Sequence, residues 1–320
     1  MPDSYLNRLI DSPFEPFVYF VDPARRVYWM FLVSAVLLGV FVYRLSNQSG
    51  GLIAYLWPRR VWLHRSAVVD YQLLFAKSVV SALLFAPVLL TSSLVAAVVV
   101  ALLHTAAPRE AWGAPWWAIA WPFSFCAFVA EDLCRYIVHR AMHRFPALWE
   151  LHKVHHSAEV LTPFTLYRIH PIESFLNASA SALAVGVVTG CFFYLYAGKL
   201  VGLQILGVDA AGFLFGFLGA NLRHTHVWLS YGPRIERWLI SPAQHQCHHS
   251  LSERHQNKNY GSVLALWDRW GKSLYIPDGK EELTFGLRSG ERNHEQGLLS
   301  ALFRPIGAAG RAVFRRGSVS

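Results

Sequence analysis

Charged residues are missing from this chain in blocks. Residues 27–43, 78–103, 112–130 and 174–198 carry none, and 200–222 carry only Asp209. A helix needs about 20 apolar residues to cross the hydrocarbon core of a bilayer. The pattern therefore predicts four to five membrane-spanning helices. A single 17-residue run also fits a buried core helix, but five runs in one chain do not fit a soluble fold. The runs 174–198 and 200–222 are separated by little more than Gly198 and Lys199. They read as a membrane hairpin, 174–222, whose arms are kinked or only partly spanning.

The segments between the runs are polar on some faces and aromatic on others, notably 131–156 and 233–270. They are expected to fold as a helical cap under the membrane. The fold class is thus all-α, an integral membrane protein with a cytoplasmic cap. Three regions follow: 1–120 with the N-terminal spans and loops, 121–277 as a central unit including the hairpin, and 278–320 as a tail. The tail is polar and basic, and it reads as a loosely ordered terminus with Leu298, Leu299, Leu302 and Phe303 as a surface-lying patch. No 20–50-residue repeat is visible.

Composition agrees with this picture. The 320 residues are 54% hydrophobic and only 15% charged, against about 25% charged in soluble domains. The net charge of +9 comes from residues that flank the apolar runs. They read as interface anchors rather than a nucleic-acid footprint. Arg44, Arg59, Arg60 and Arg65 follow the first run, whereas 104–111 holds one Arg and one Glu. Positive-inside counting places the 44–65 loop in the cytoplasm. Passing the remaining spans, every histidine cluster then lands on that same side. Arg outnumbers Lys 23 to 6, a bias of GC-rich bacterial genomes, so the bacterial inner membrane is the expected location. The four cysteines form no Cys-x-x-Cys pair and support neither a disulfide framework nor a zinc finger. The first 22 residues lack a signal-peptide pattern.

Against this greasy background stand the histidines. His152, His155 and His156 read His-x-x-His-His, and so do His245, His248 and His249; His139 and His143 precede the first cluster. Imidazole is the commonest protein ligand for zinc, copper and non-haem iron. Residues four apart on a helix share a face, about 5–6 Å apart at Cβ. Adjacent residues diverge by about 100°. One His-x-x-His-His helix can therefore feed two ions, its first and fourth residues sharing a face. The count exceeds four nitrogens and predicts a dinuclear site. His64, His104, His255 and His294 read as solvent-facing or hydrogen-bonded. No Glu-x-x-His of the soluble carboxylate bundles lies among the clusters.

The surrounding residues are more specific. Asp132, Tyr136, His139, Arg140 and His143 fit Asp-x-x-x-Tyr-x-x-His-Arg-x-x-His. LWELHKVHHS at 148–157, RIHPIE at 168–173, SPAQHQCHHS at 241–250, NYG at 259–261 and WDRWG at 267–271 follow. Over about 120–275 the chain resembles the membrane fatty acid hydroxylase/sterol desaturase superfamily. Trp270 stands where Phe is usual, Lys272 where Thr is usual, and His226 where relatives carry Asn or Glu. The resemblance implies a di-iron centre that uses dioxygen to hydroxylate or desaturate an unactivated C–H site of a lipid: a sterol, a fatty-acyl or ornithine lipid, or a carotenoid. It implies His139, His143, His152, His155, His156, His224, His245, His248 and His249 as ligands, with His170 and His226 as further candidates and zinc as a substitute metal. For His170 a structural hydrogen bond before Pro171 is the alternative. Asp132 and Asn259 are expected beyond the ligands: Asp132 orienting an imidazole or pairing with Arg135 or Arg140, Asn259 and Tyr260 supporting the site or forming a turn.

The chain has no Gly-rich nucleotide fingerprint and no haem-attachment motif. An external electron donor is therefore expected, a ferredoxin or a cytochrome with its reductase. Arg135, Arg140, Arg144 and Lys153 are candidates to dock it, to grip a lipid headgroup, or simply to anchor the interface. Other classes remain in view: a membrane metal-binding or transport protein, a bis-histidine haem protein, and a zinc-dependent membrane hydrolase.

Overall fold

The computed structural model describes residues 11–46, 50–85, 90–196, 200, 202–205, 208–288, 290–291 and 297–315. It is helical apart from one antiparallel pair of two-residue strands, Gln204–Ile205 and Val208–Asp209. The principal helices are α1 (Trp29–Leu45), α2 (Arg65–Val80), α3 (Ser92–Ala106), α4 (Trp116–Arg144) and α5 (Pro146–His156). They continue with α6 (Pro171–Leu195), α7 (Ala210–Phe217), α8 (Pro242–His249), α9 (Leu266–Trp270) and α10 (Leu298–Arg315). Among the described residues, three stretches are long and apolar enough to cross a membrane: Arg65–Leu83, α4 and α6. The chain is thus an integral membrane protein.

Two apolar runs fold differently from expectation. Residues 78–103 do not form one span. Their start finishes α2 and a π-turn, Ser81–Phe85, and their end forms the 15-residue α3. The run holds Pro87, which interrupts helical hydrogen bonding; residues 86–89 lie outside the described residues. Among its described residues, the run 200–222 yields the two short strands, the eight-residue α7 and the start of a 3₁₀ turn, Ala220–His224. It holds five glycines, each costing about 1 kcal/mol of helix propensity against Ala, and Gly219 leaves α7 at φ +100°. The expected hairpin turn at Gly198 and Lys199 lies outside the described residues.

Helices α3 and α6 pack through a small-residue ridge. A Cβ on Gly186 would stand 2.5 Å from Val95 Cβ, and one on Gly190 would stand 2.7 Å from Val99 Cβ. Gly-x-x-x-Gly lets helix backbones approach closely. Gly190→Leu is expected to force the pair apart and cost about 1–3 kcal/mol, read as a lower unfolding temperature in detergent.

The site is held from beneath by one buried guanidinium. Arg168 pairs with Asp70 of α2 at 2.9 Å, both side chains fully buried. It also donates to the Val154 carbonyl (2.8 Å), the Ser66 carbonyl (3.0 Å) and Ser157 Oγ (2.7 Å). Thr165 donates to the other Asp70 oxygen at 2.6 Å. This network fastens the C-terminus of α5, where three histidines sit, to α2. The tail differs from its expected looseness. Helix α10 buries Ala301 in a cluster with Val69, Leu73 and Val154, and leaves Leu299, Phe303 and Val313 exposed.

Candidate metal centre

Four elements deliver the imidazoles. The last two turns of α4 carry His139 and His143, α5 carries His152, His155 and His156, the 3₁₀ turn ends on His224, and α8 carries His245, His248 and His249. Their potential ligand atoms form two groups, each within 4.8 Å of one another: His139, His143, His152, His156 and His248, then His155, His224, His245 and His249. In each His-x-x-His-His motif the first and fifth residues go to one group and the fourth crosses to the other. The expected pairing of first with fourth gives way to the i, i+4 pairing. The two motifs thus exchange ligands: α5 gives two to the first group and one to the second, and α8 does the reverse.

The atoms at the centres lack any partner that a metal-free protein would supply. In the five-histidine group every Nε2 is buried and without a hydrogen-bond partner. In the four-histidine group the Nε2 atoms face one another: His224 lies 3.3 Å from His155, 3.2 Å from His249 and 3.0 Å from His245, and His245–His249 is 3.2 Å. An ion about 2.1 Å from each nitrogen sets neighbouring ligands about 3.0 Å apart at 90° and about 3.4 Å at the tetrahedral angle. The observed spacing falls in that window.

Hydrogen bonds on the far side of the rings fix which nitrogen is free. His139 Nδ1 donates to the Tyr260 carbonyl (2.8 Å) and His248 Nδ1 to the Lys258 carbonyl (2.7 Å). A carbonyl only accepts, so Nδ1 holds the proton and Nε2 keeps its lone pair. His152 Nδ1 meets Glu173 Oε1 at 2.8 Å, both side chains nearly buried. Burial first, then repulsion from neighbouring imidazoles, holds His156, His224, His245 and His249 well below the usual histidine value. Burial pushes His155 and His248 down to about 3. The rings are therefore neutral at physiological pH and carry available lone pairs. The donor set fits two ions of borderline softness.

Four sequence candidates occupy other roles. His170 Nδ1 accepts from Ile172 N at the start of α6, and its Nε2 donates to the Leu302 carbonyl at 2.9 Å. His226 Nε2 donates to the Tyr55 carbonyl at 2.5 Å. Neither joins a group. Asp132 touches no imidazole: seven residues along α4 place it about 10 Å from His139 in rise. It accepts instead from Val263 N, Leu264 N and Trp267 Nε1. Asn259 acts through the backbone. It sits at φ +56°, tolerated best by Asn among side-chain residues. Its Nδ2 donates to the Gln244 carbonyl, and its Oδ1 accepts from Tyr275 N. So anchored, it sets the carbonyls on either side of it, Lys258 and Tyr260, against His248 and His139. Asp268 takes Tyr260 N and Gly261 N, and a Cβ on Gly261 would stand 2.8 Å from that carboxylate.

Glu173 was not singled out from sequence beyond its place in RIHPIE. Lying 21 residues from His152, it had no spacing rule to reveal it. Glu173→Gln is expected to weaken metal binding about 10–100-fold, the range for loss of an outer partner, measured by competition with a chelator. A further cluster, Cys247, His255 and Glu281, reads as a tether. His255 Nε2 lies 2.9 Å from Glu281, which also takes Arg254 (2.7 Å) and the Tyr275 hydroxyl (2.6 Å), and burial pushes the Cys247 thiol up.

Two cavities flank the imidazoles. One of about 250 Å³ is lined by His143, His156, His248, His249, Trp149 and Arg288. The other, about 550 Å³, is lined by His139, His152, His155, His224 and His245 together with α2 and α6 residues.

The protein draws nine imidazoles, seven of them buried and His139 and His143 half-buried, into two adjoining groups that could each hold a metal ion. Residues 124–273, just under half of the chain, match the family model described as Fatty acid hydroxylase. The chain is 26% identical to the ornithine lipid hydroxylase OlsE of Rhizobium tropici over 209 residues, 64% of this chain and 58% of that protein. It is 29% identical to the alkylglycerol monooxygenase of Danio rerio over 171 residues, 53% of this chain and 34% of the relative. It is 31% identical to the Delta(7)-sterol 5(6)-desaturase of Leptosphaeria maculans over 157 residues, 49% and 37%. The matched part thus spans between about a third and under two thirds of each relative's length. No solved structure matches the chain.

Proposed function

We propose that this chain is a membrane-bound oxidoreductase that uses dioxygen to hydroxylate or desaturate an unactivated C–H site of a lipid. The observation that carries the reading is the two groups of Nε2 atoms, five without any hydrogen-bond partner and four that face only one another. His139, His143, His152, His156 and His248 would hold one iron, and His155, His224, His245 and His249 the other. Zinc would fit the same nitrogens but could not pass electrons. Bound iron supplies the activation of dioxygen. The chain's part is to present neutral imidazoles through the Tyr260, Lys258 and Glu173 hydrogen bonds and to hold the lipid in the larger cavity, away from bulk water. Hydroxylation balances as R–H + O₂ + 2e⁻ + 2H⁺ → R–OH + H₂O. A separate ferredoxin, or a cytochrome with its reductase, would bring the electrons.

The catalytic unit is taken as 121–277, with the imidazole face cytoplasmic in a bacterial inner membrane, as the Arg44–Arg65 charge bias favours. Of the basic residues considered for donor docking, Arg135 is engaged by Glu131, Arg140 by Tyr136 and Lys153 by Glu150. Metal transport is disfavoured because transporters place ligands near mid-bilayer. Here seven of the nine imidazoles come from outside the spanning-length helices, and the other two lie in the last two turns of α4. A zinc hydrolase takes three protein ligands and keeps a position open, fewer than either group holds. The test is anaerobic purification with metal analysis, then lipid analysis of cells with and without the chain. A lipid that gains 16 mass units or loses 2 is expected; an unchanged lipid profile in cells that accumulate the metal-loaded chain contradicts the reading.

A further inference from the structure

The larger cavity carries an excess of positive charge. Five cationic residues line it, against two carboxylates. Glu131 is paired with Arg135, and Glu173, hydrogen-bonded to His152, attracts Lys77 without an ion-pair contact. Among the described residues, Lys77, Arg26 and Arg223 enter no ion pair. Arg26 and Arg223 crowd the same Phe215 ring, their Cζ atoms 4.6 and 4.5 Å from its centroid. The backbone of Arg26 is pinned by Asn221 Nδ2 at 2.7 Å. Arg223 is 7% exposed. One of its terminal nitrogens donates to the Ile240 carbonyl, and its Nε is buried without a partner. Lys77 lies on the spanning-length α2, where an ionisable side chain is costly and marks a function.

Burial, and the repulsion of Arg223, brings Arg26 down to about 9, so it is still charged at neutral pH. Two like charges at one aromatic ring and a third in the same cavity form an arrangement that an added anion would relieve. The remaining walls mix apolar residues, among them Met142, Leu166 and Ile169, with polar ones such as Ser174, Asn177 and Ser181.

We propose that Lys77, Arg26 and Arg223 form a binding site for the anionic headgroup of a lipid, a carboxylate or a phosphate, in the cavity that reaches the imidazole groups. The inference rests on the lipid-oxidation reading and sharpens its substrate class. A sphere of about 550 Å³ is about 10 Å across, within the usual size of ligand sites.

The test is equilibrium binding to the full chain in neutral detergent, using lauryl phosphate, laurate, dodecanol, dodecyltrimethylammonium and inorganic phosphate. The two anionic amphiphiles are expected to bind at least tenfold tighter than dodecanol, and the cationic one more weakly still. The order of laurate and lauryl phosphate then names the headgroup, and either order supports the site. Lys77→Met and Arg26→Gln are each expected to reduce the preference at least fivefold with metal content and dodecanol affinity unchanged, and Lys77→Arg to retain it. Dodecanol binding as tightly as the anions in the wild-type chain overturns the proposal, as does full preference in both variants. Inorganic phosphate binding as tightly as lauryl phosphate overturns the lipid assignment. Since the readout is binding, a chain that prefers anionic amphiphiles but leaves lipids unoxidised refutes the oxidase reading and not this site.

Discussion

Arg168→Met is expected to destabilise the folded chain by about 3–5 kcal/mol, the cost of stripping one partner from a buried ion pair. Asp70 would keep only the Thr165 hydroxyl, and the Val154 and Ser66 carbonyls would lose their guanidinium donor. The damage is transmitted to the metal centre because Val154 lies between His152 and His155 on α5. Thermal unfolding in detergent reads the stability, and metal content reads the consequence. Adding Asp70→Asn to Arg168→Met removes the stranded charge and is expected to recover part of the loss. The carbonyls stay unsatisfied, each at about 1–3 kcal/mol, so recovery is incomplete. Full stability in the single variant would show that the pair does not hold α5.

His245→Ala is expected to empty the four-histidine group and abolish lipid oxidation. His245 Nε2 lies 3.0 Å from His224 and 3.2 Å from His249, so its loss opens one side of that polyhedron. The effect should exceed the 10–100-fold that follows loss of an outer partner. Metal content should fall from two ions per chain to about one. His226→Ala is the matched comparison. His226 forms no part of either group and contributes a hydrogen bond to Tyr55, worth about 1 kcal/mol, so both ions should stay bound. Equal metal loss in the two variants would contradict the grouping.

Much of this centre was legible before any coordinates. Eight of the nine imidazoles that converge lie in the three clusters marked by i, i+3 and i, i+4 spacing; His224 was named only through the family resemblance, which also named His170 and His226. The splitting of each motif between two groups was also legible, though the partner of the first residue proved to be the fifth. What stayed hidden acts across long separations or through the backbone. Asp70 and Arg168 are 98 residues apart, and no local pattern joins them. The hydrogen-bond partners of His139 and His248 are main-chain carbonyls, which a sequence does not advertise. For Asn259 the sequence left site support and a turn open, and the residue does both, through a left-handed backbone that aims its neighbours' carbonyls. The apolar run 200–222 misled because hydrophobicity counts transfer energy and ignores what five glycines do to a helix. The Gly186-x-x-x-Gly190 ridge carried a readable signal that the run's bland apolarity masked. The regional division was legible as chain order only: Asp70 from the N-terminal part and α10 from the tail both pack against α5.

The central claim is that two separate sets of imidazoles each hold one ion. The metal-to-chain ratio of the full protein, purified anaerobically in detergent from iron-supplied cells, tests it most directly. A ratio of about two is the predicted result. A ratio below one, or a ratio of two that survives combined replacement of His143 and His245 by Ala, would contradict it.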